Sequence, residues 1–278
     1  MEVVEKDRRP RLSRLFEGYK WNYLPDAILD GYMGRALADN EDNPQVAVLE
    51  ASNLKLGIVA GDASHPSARE YIERLPTPSG LIFASDGWEE LVRKVHAGRL
   101  IYMPRYAFTS EKLDVEYLRR LGSQIPRDYR IEPVDLDLAQ QLAGEKSEFA
   151  SDHLLNFDSP EDFIERGFGF CILDGDEIVS VATTFAICNK GIEIQINTRE
   201  EHQGKGLATE VAAHLLVYSL EHNLDPNWDA ANERSVGLAK KLGYTPQGTY
   251  SIVLVVGSRA LAFLVRFGLK VKAFFERR

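Results

Sequence analysis

The chain has 278 residues, 44% of them hydrophobic and 27% charged, with a formal net charge of -9. That length allows two domains or one large one with a substantial core, and the composition lies near the globular average, which excludes a disordered or membrane class. The acidic balance argues against whole-surface attraction to nucleic acid, so no nucleic-acid partner is expected.

The stretch "MEVVEKDRRPRLSRLFEGYKWN" carries basic residues but no apolar run of signal-peptide length. No run of 18 apolar residues occurs, so no transmembrane segment and a cytoplasmic location are expected. Residues 46–50, 54–62 and 80–85 read as strands, and 86–98 as a helix. In that helix Trp88, Leu91, Val92 and Val95 share a face, Asp86 is the candidate cap and Gly98 the stop. "RLIYMPRYAF" returns to an extended pattern. Residues 1–125 therefore read as an α/β region of their own, without a catalytic constellation.

Glycine, serine and two prolines in "RRLGSQIPRDYRIEPVD" mark a seam, and a second unit is expected over 126–256. It opens with the extended "YRIEPV" near Tyr129, then a helical "LDLAQQLAGEKSEF". In "SPEDFIERG", Ser159 and Pro160 have the form of an N-cap and first helical residue. "FGFCILDGDEIVSVATTFAI" reads as a hairpin turning at Asp174, Gly175 and Asp176, and 191–198 as a third, strictly alternating strand. From Leu207 the period becomes helical: Leu207, Val211, Leu215 and Tyr218 form one row, widened by Ala208, Ala212, Leu216 and Leu220. "NWDAAN" reads as a short strand and turn, and "ERSVGLAKKLGY" as a helix closed by Gly243. The two cysteines, Cys171 and Cys188, read as buried small hydrophobes, and no metal-ligand spacing is present, so no metal is expected. No internal repeat is visible.

The stretch "HQGKGLATEV" (202–211) places two glycines and a lysine in front of that apolar helix. A helix N-terminus offers unpaired amides and partial positive charge to an anion, and glycines let the backbone come close. A Walker loop fails on spacing, because the lysine lies between the glycines and Leu207 follows. A Rossmann fingerprint meets Thr209 at its third small position and a hairpin in place of a parallel βαβ unit.

Gln203, Gly204, Lys205, Gly206, Leu207 and Ala208 fit the pattern Gln/Arg-x-x-Gly-x-Gly/Ala, and here the sequence resembles the GCN5-related N-acetyltransferase (GNAT) superfamily. "NERSVGLAKKLGY" (232–244) is similar to that family's later helix, and the resemblance covers about residues 129–256. The wording also resembles a subgroup that includes zwittermicin-resistance-type acetyltransferases. The resemblance implies an α/β (α+β) fold with a mixed, mostly antiparallel central sheet flanked by helices, to which the N-terminal α/β region is added. It implies acetyl-CoA as acetyl donor, with the pyrophosphate on residues 203–208, a backbone amide within 194–198 facing the acetyl carbonyl (Ile196, Asn197 and Thr198 among them), and Asn232 and Ser235 as further contacts.

If the acceptor amine arrives as ammonium, a base is needed. Glu193 is the first candidate, since alternation sets it with Gln195 and Asn197 against Ile192, Ile194 and Ile196; a solvated strand face is the competing reading. Asp229 is the second, with a turn cap as its alternative. Many family members carry a tyrosine where this chain has Ala239, so the group that protonates the leaving thiolate is unassigned, with Tyr244, Tyr250 or water as candidates. His153 reads as a surface or partly buried residue and His202 as exposed loop.

After a strand over about 250–256, Ser258 is a candidate cap for a helix over 257–278 with Arg259, Arg266, Lys270 and Arg277 in one stripe. Docking on the acidic body or a second copy, giving a homodimer, and peripheral contact with an anionic membrane are its readings, with a hairpin as a further one. The expected activity is acetyl transfer to a primary amine, with a small-molecule amine, antibiotic-like in kind, as acceptor. A catalytically silent coenzyme-A-binding module and a NAD-binding Rossmann protein are the alternatives.

Overall fold

The computed structural model describes residues 1–147, 149–150 and 152–265. In chain order the strands are β1 (Glu2–Val4), β2 (Arg35–Ala38), β3 (Val46–Ala51), β4 (Leu56–Gly61), β5 (Ser79–Phe83), β6 (Leu100–Thr109), β7 (Tyr129–Pro133), β8 (Gly169–Asp174), β9 (Glu177–Ile187), β10 (Gly191–Thr198), β11 (Asp225–Ala230) and β12 (Thr245–Val255). The helices are α1 (Leu24–Leu29), α2 (Pro66–Glu73), α3 (Trp88–Val95), α4 (Val115–Leu121), α5 (Leu136–Gly144), α6 (Pro160–Arg166), α7 (Leu207–Glu221) and α8 (Glu233–Leu242).

These elements form two units, each assembled from separate stretches of sequence. Met1–Lys20, Ile28–Pro104 and the stretch beginning at Tyr250 make the first; Trp21–Ala27 and Arg105–Thr249 make the second. The division differs from a single cut near residue 125, because 21–27 and 105–125 belong with the second unit and 250–256 with the first. Sequence punctuation marks where a chain turns, whereas units follow from pairings between remote strands.

The strand order is β1-β2-β3-β4-β5-β12 in the first unit and β7-β8-β9-β10-β11-β6 in the second. Both share one scheme. Four successive strands pair antiparallel, the fifth lies parallel to the fourth, and the sixth runs antiparallel to the fifth. A helix links the fourth and fifth strands in each, α2 in the first and α7 in the second. Each unit takes its sixth strand from the other half of the sequence: Phe108 of β6 pairs with Trp228, and Val253 of β12 pairs with Leu81. This is a structural repeat with no visible repeat of residues, since strand pairing requires only that buried positions alternate.

The second unit is ordered by local chemistry that the sequence displays. Asp174 pairs with Glu177 across a two-residue turn, where Gly175 takes a positive φ of 60°. Ser159 caps α6 through the Asp162 amide at 3.2 Å, Asn232 caps α8, and Gly243 ends α8 with φ 104°. Leu207, Val211 and Leu215 of α7 pack on Ile172, Val179, Ala182 and Ile192, while Ala212, Ala213 and Leu216 meet Phe108, Leu118 and Trp228. Each large apolar side chain buried this way contributes about 1.5–3 kcal/mol, which fixes α7 against the sheet on two flanks. Cys171 and Cys188 are buried and form no disulfide among the described residues, and burial pushes the Cys171 thiol up to about 12.

In the first unit Trp88 is fully buried, and its indole donates to the Gly61 carbonyl at 3.1 Å. α3 begins on Gly87, at φ 83°, with no side-chain cap, so the expected Asp86 cap is not formed. Glu89 and Glu90 in its first turn supply the negative charge there. The Ser258 hydroxyl accepts the Leu261 amide at 3.1 Å, and 259–265 are helical, so a cap replaces the hairpin alternative. Arg266, Lys270 and Arg277 of the expected basic stripe lie outside the described residues. Among the described residues no helix is long and apolar enough to cross a membrane.

Candidate active site

After β10, Glu200–His202 form a short 3-10 turn, and residues 203–206 lead from it into α7. Gly204 and Gly206 have φ values of 78° and 87°, a left-handed region that side-chain-bearing residues avoid, and nothing lies within 4 Å of where either Cβ would be. Gly206 is the N-cap of α7 and brings no side chain to the first turn. The leading amides of a 15-residue helix are therefore open to a ligand, at the positive end of its dipole. Successive amides of this kind fit a pyrophosphate. Lys205 reaches the Tyr129 hydroxyl at 3.1 Å, and Arg234 in the first turn of α8 donates to the Gln203 side-chain Oε1 at 2.9 Å. Two cations thus flank the loop.

β10 and β11 run parallel through Gly191–Asp225, Ile192–Pro226 and Glu193–Asn227, and their ladder stops there. A bulge between Glu193 and Ile194 in the β9 pairing re-aims β10 at the same point. Beyond it, among the described residues, residues 194–198 of β10 pair with no residue of β11, so the two strands part at Glu193. The Gln195 side-chain Nε2 donates to the Asn197 side-chain oxygen at 2.7 Å, the Thr198 and Ser180 hydroxyls share a bond of 2.7 Å, and Ile196 packs toward the apolar core.

Glu193 sits where the ladder stops and is only 5% exposed. Its Oε1 accepts from the Asn227 side-chain amide at 2.8 Å and from the Tyr23 backbone amide. Burial raises the carboxyl to about 8; the charge of Asp229 adds to this, and the Tyr23 amide, Asn227 and Arg105 oppose it. Such a group holds its proton at neutral pH and becomes a carboxylate within reach of physiological conditions.

Asp229 is engaged differently. Arg105 grips its Oδ2 from Nε at 3.1 Å and Nη2 at 2.9 Å, and its backbone carbonyl at 2.8 Å. This two-pronged pair makes Asp229 a fixed charge. Asn232 accepts the Ser235 amide at 3.0 Å, and the Ser235 hydroxyl accepts the Trp228 indole at 3.1 Å, so these two residues hold the start of α8.

Ala239 is fully buried in the core shared by α7, α8 and β11. Tyr244 is also buried, and its hydroxyl donates to the Pro226 carbonyl at 2.7 Å, with burial holding its proton tightly. Tyr250 belongs to the first unit. His153 departs from the expected surface or partly buried placement: it is fully buried, bonded to Thr183 at 2.7 Å, and held neutral by burial, which pushes it down to about 3.

Four contributors escaped the reading of residues alone. Tyr23 and Arg105 reach the site across 170 and 124 residues of sequence, so no local pattern signals them. Asn227 and Arg234 lie inside stretches already singled out, and their side chains acquire meaning only once Glu193 and Gln203 are placed beside them. Among the described residues no group of three or more His, Cys, Asp or Glu is arranged to hold a metal ion.

The family described as GNAT acetyltransferase matches residues 13–253. The uncharacterized N-acetyltransferase YdfB of Bacillus subtilis (strain 168) is 26% identical over 265 residues, which span 91% of this chain and 98% of that protein. A GCN5-related N-acetyltransferase-like protein from Streptococcus suis superposes with a TM-score of 0.78 at 29% identity, covering 90% of this chain and 98% of its own. A tandem GNAT protein from the clavulanic acid biosynthesis pathway shares the fold at 12% identity and a TM-score of 0.59, over 89% of this chain and 93% of that one.

Proposed function

Because the chain belongs to the GNAT acetyltransferase family, we propose that it transfers the acetyl group of acetyl-CoA to a primary amine of a small molecule, in the second unit. The observation that carries this reading is the pairing of an uncapped, glycine-lined helix start at Gly206 with the parting of β10 and β11 at Glu193. The first holds a pyrophosphate; the second gives a pantetheine arm a path.

Acetyl-CoA supplies the thioester. The amides of residues 204–208 bind its pyrophosphate beside Gln203, whose own amide is donated to the Glu200 carbonyl, and an outward amide of residues 194–198 polarises the acetyl oxygen. Glu193, as carboxylate, takes a proton from the incoming ammonium. The amine nitrogen then bonds to the acetyl carbon as the carbon–sulfur bond breaks; the nitrogen gives its second proton to water, and water returns a proton to the departing thiolate, since Ala239 offers none and the Tyr244 proton is bonded to Pro226. Holding both partners in line supplies much of the barrier reduction. The likeness to resistance-type acetyltransferases supports an antibiotic-like amine as acceptor.

Purified protein incubated with acetyl-CoA and a panel of small amines tests this. Acceptor-dependent thiol release is the expected result. Coenzyme A binding without turnover on any amine would favour instead a silent binding module, the reading that the buried Ala239 favours.

A further inference from the structure

We propose that Arg105 is a positioning residue for the reaction: by gripping Asp229 it holds a compensated charge pair beside Glu193, so that the Glu193 carboxylate can form where the β10–β11 ladder stops. This rests on the reading of Glu193 as the proton acceptor.

The argument begins from geometry. Glu193 on β10 and Asp229 on β11 are both nearly withdrawn from water, at 5% residue exposure and 8% side-chain exposure, on strands paired through Glu193 and Asn227. Two acidic groups in so dry a place cannot both ionise unless a cation is built in. The built-in cation is Arg105, from β6, the strand the second unit receives from the earlier half of the sequence. Its fork closes on Asp229 through three hydrogen bonds and leaves Glu193 to the Tyr23 amide and Asn227. Arginine is suited to this, because its planar donors match a carboxylate and it stays charged when partly buried.

The other titratable groups around Glu193 are already committed. Tyr23 donates its hydroxyl to Asp225, which also accepts from Ser110, and Tyr244 donates to the Pro226 carbonyl. Burial and the nearby acids raise both phenols, so they remain protonated across the range in which Glu193 ionises. Cys188 is a buried thiol in the same neighbourhood. Arg105 and Asp229 are therefore the pair whose charges bear on Glu193 in that range.

The test follows the Glu193 carboxyl carbon by NMR in the full chain labelled with 13C at glutamate Cδ, with Glu193→Gln identifying the resonance. In the wild type the midpoint is expected at about 8. Arg105→Gln is expected to raise it by roughly one pH unit or more, and Asp229→Asn to lower it by a similar amount. The double variant falls between the two, and Arg105→Lys, which keeps the charge, stays near the wild type. If Arg105→Gln does not fold, Asp229→Asn and Arg105→Lys carry the test alone. A residue that merely braces the strands would move melting temperature without moving the midpoint in opposite directions; unmoved midpoints overturn the proposal. Acceptor-dependent thiol release by Glu193→Gln separates the two failures. Turnover retained there overturns Glu193 as proton acceptor and with it the role of Arg105, even if the midpoints move. Turnover lost with midpoints unmoved overturns the Arg105 proposal alone.

Discussion

The two units share one strand scheme, yet differ at every point where the second has chemistry. In the second, the loop after the fourth strand ends on Gly206, and a 15-residue helix follows with open amides. In the first, the loop after β4 leads to an 8-residue helix whose start is already filled: the His65 ring accepts the Ser67 amide at 3.2 Å and Pro66 removes a donor. Asp62, whose carboxyl Ser64 holds below its usual range, adds a negative charge where an anion would sit. The first unit's β4–β5 ladder runs from Leu56–Gly80 through Val59–Phe83 and continues in the Ala84 amide bond to Val59 at 2.9 Å, so these strands stay paired. β4 also carries no ionisable side chain, whereas β10 carries Glu193. A shared topology therefore permits an anion site, and the side chains at the helix start and the strand split decide whether one exists.

The sharpest test of this contrast is Glu193→Gln, which is expected to lower turnover by about a hundred- to ten-thousandfold, read as acceptor-dependent thiol release. In the wild type the rate should climb with pH through about 8, because the carboxylate is the working form. Stability runs the opposite way. A carboxyl raised on folding contributes stability that is full below its unfolded value near 4.5 and is lost as pH rises through about 8. Glu193→Gln should therefore melt higher than the wild type at pH 9 and equally at pH 4; equal melting at both values would show that the carboxyl is not buried.

Next in size, Gly206→Asp is expected to weaken coenzyme A binding by about a hundredfold or more, since like charges in contact cost several kcal/mol and a side chain strains the left-handed backbone. Calorimetric titration reads it, and the wild type should bind one coenzyme A per chain. Two per chain, or unchanged affinity in the variant, would erase the distinction between the units. The smallest effect belongs to Lys205→Met: an exposed cation near a phosphate is expected to matter two- to fivefold, with less dependence on salt than the wild type shows.

What the sequence displays and what it conceals follow from range. The glycine loop at 203–208, the hairpin at Gly175 and the caps at Ser159 and Asn232 are legible because neighbouring residues make them. Glu193 was reachable by alternation, although the bulge that follows it, the burial that raises it and the amide of Tyr23 that orients it were not. The strand exchange is invisible for the same reason: Val253 and Leu81 carry no mark that they will pair. Domain seams drawn from prolines and glycines consequently miss units built from interleaved stretches.

That interleaving has a consequence for how the protein comes off the ribosome. Every part of the second unit has been synthesised by Thr249, while the sheet of the first still lacks the strand at Val253–Val255. Until it arrives, β5 presents an open edge, and the pairing that closes it spans most of the chain, which is slow to form and prone to wrong partners. Nascent chains arrested once residue 249 has cleared the tunnel are expected to resist protease over 105–249 and to remain cleavable over 28–104; equal resistance would refute this order. The half that emerges first is the half that finishes last.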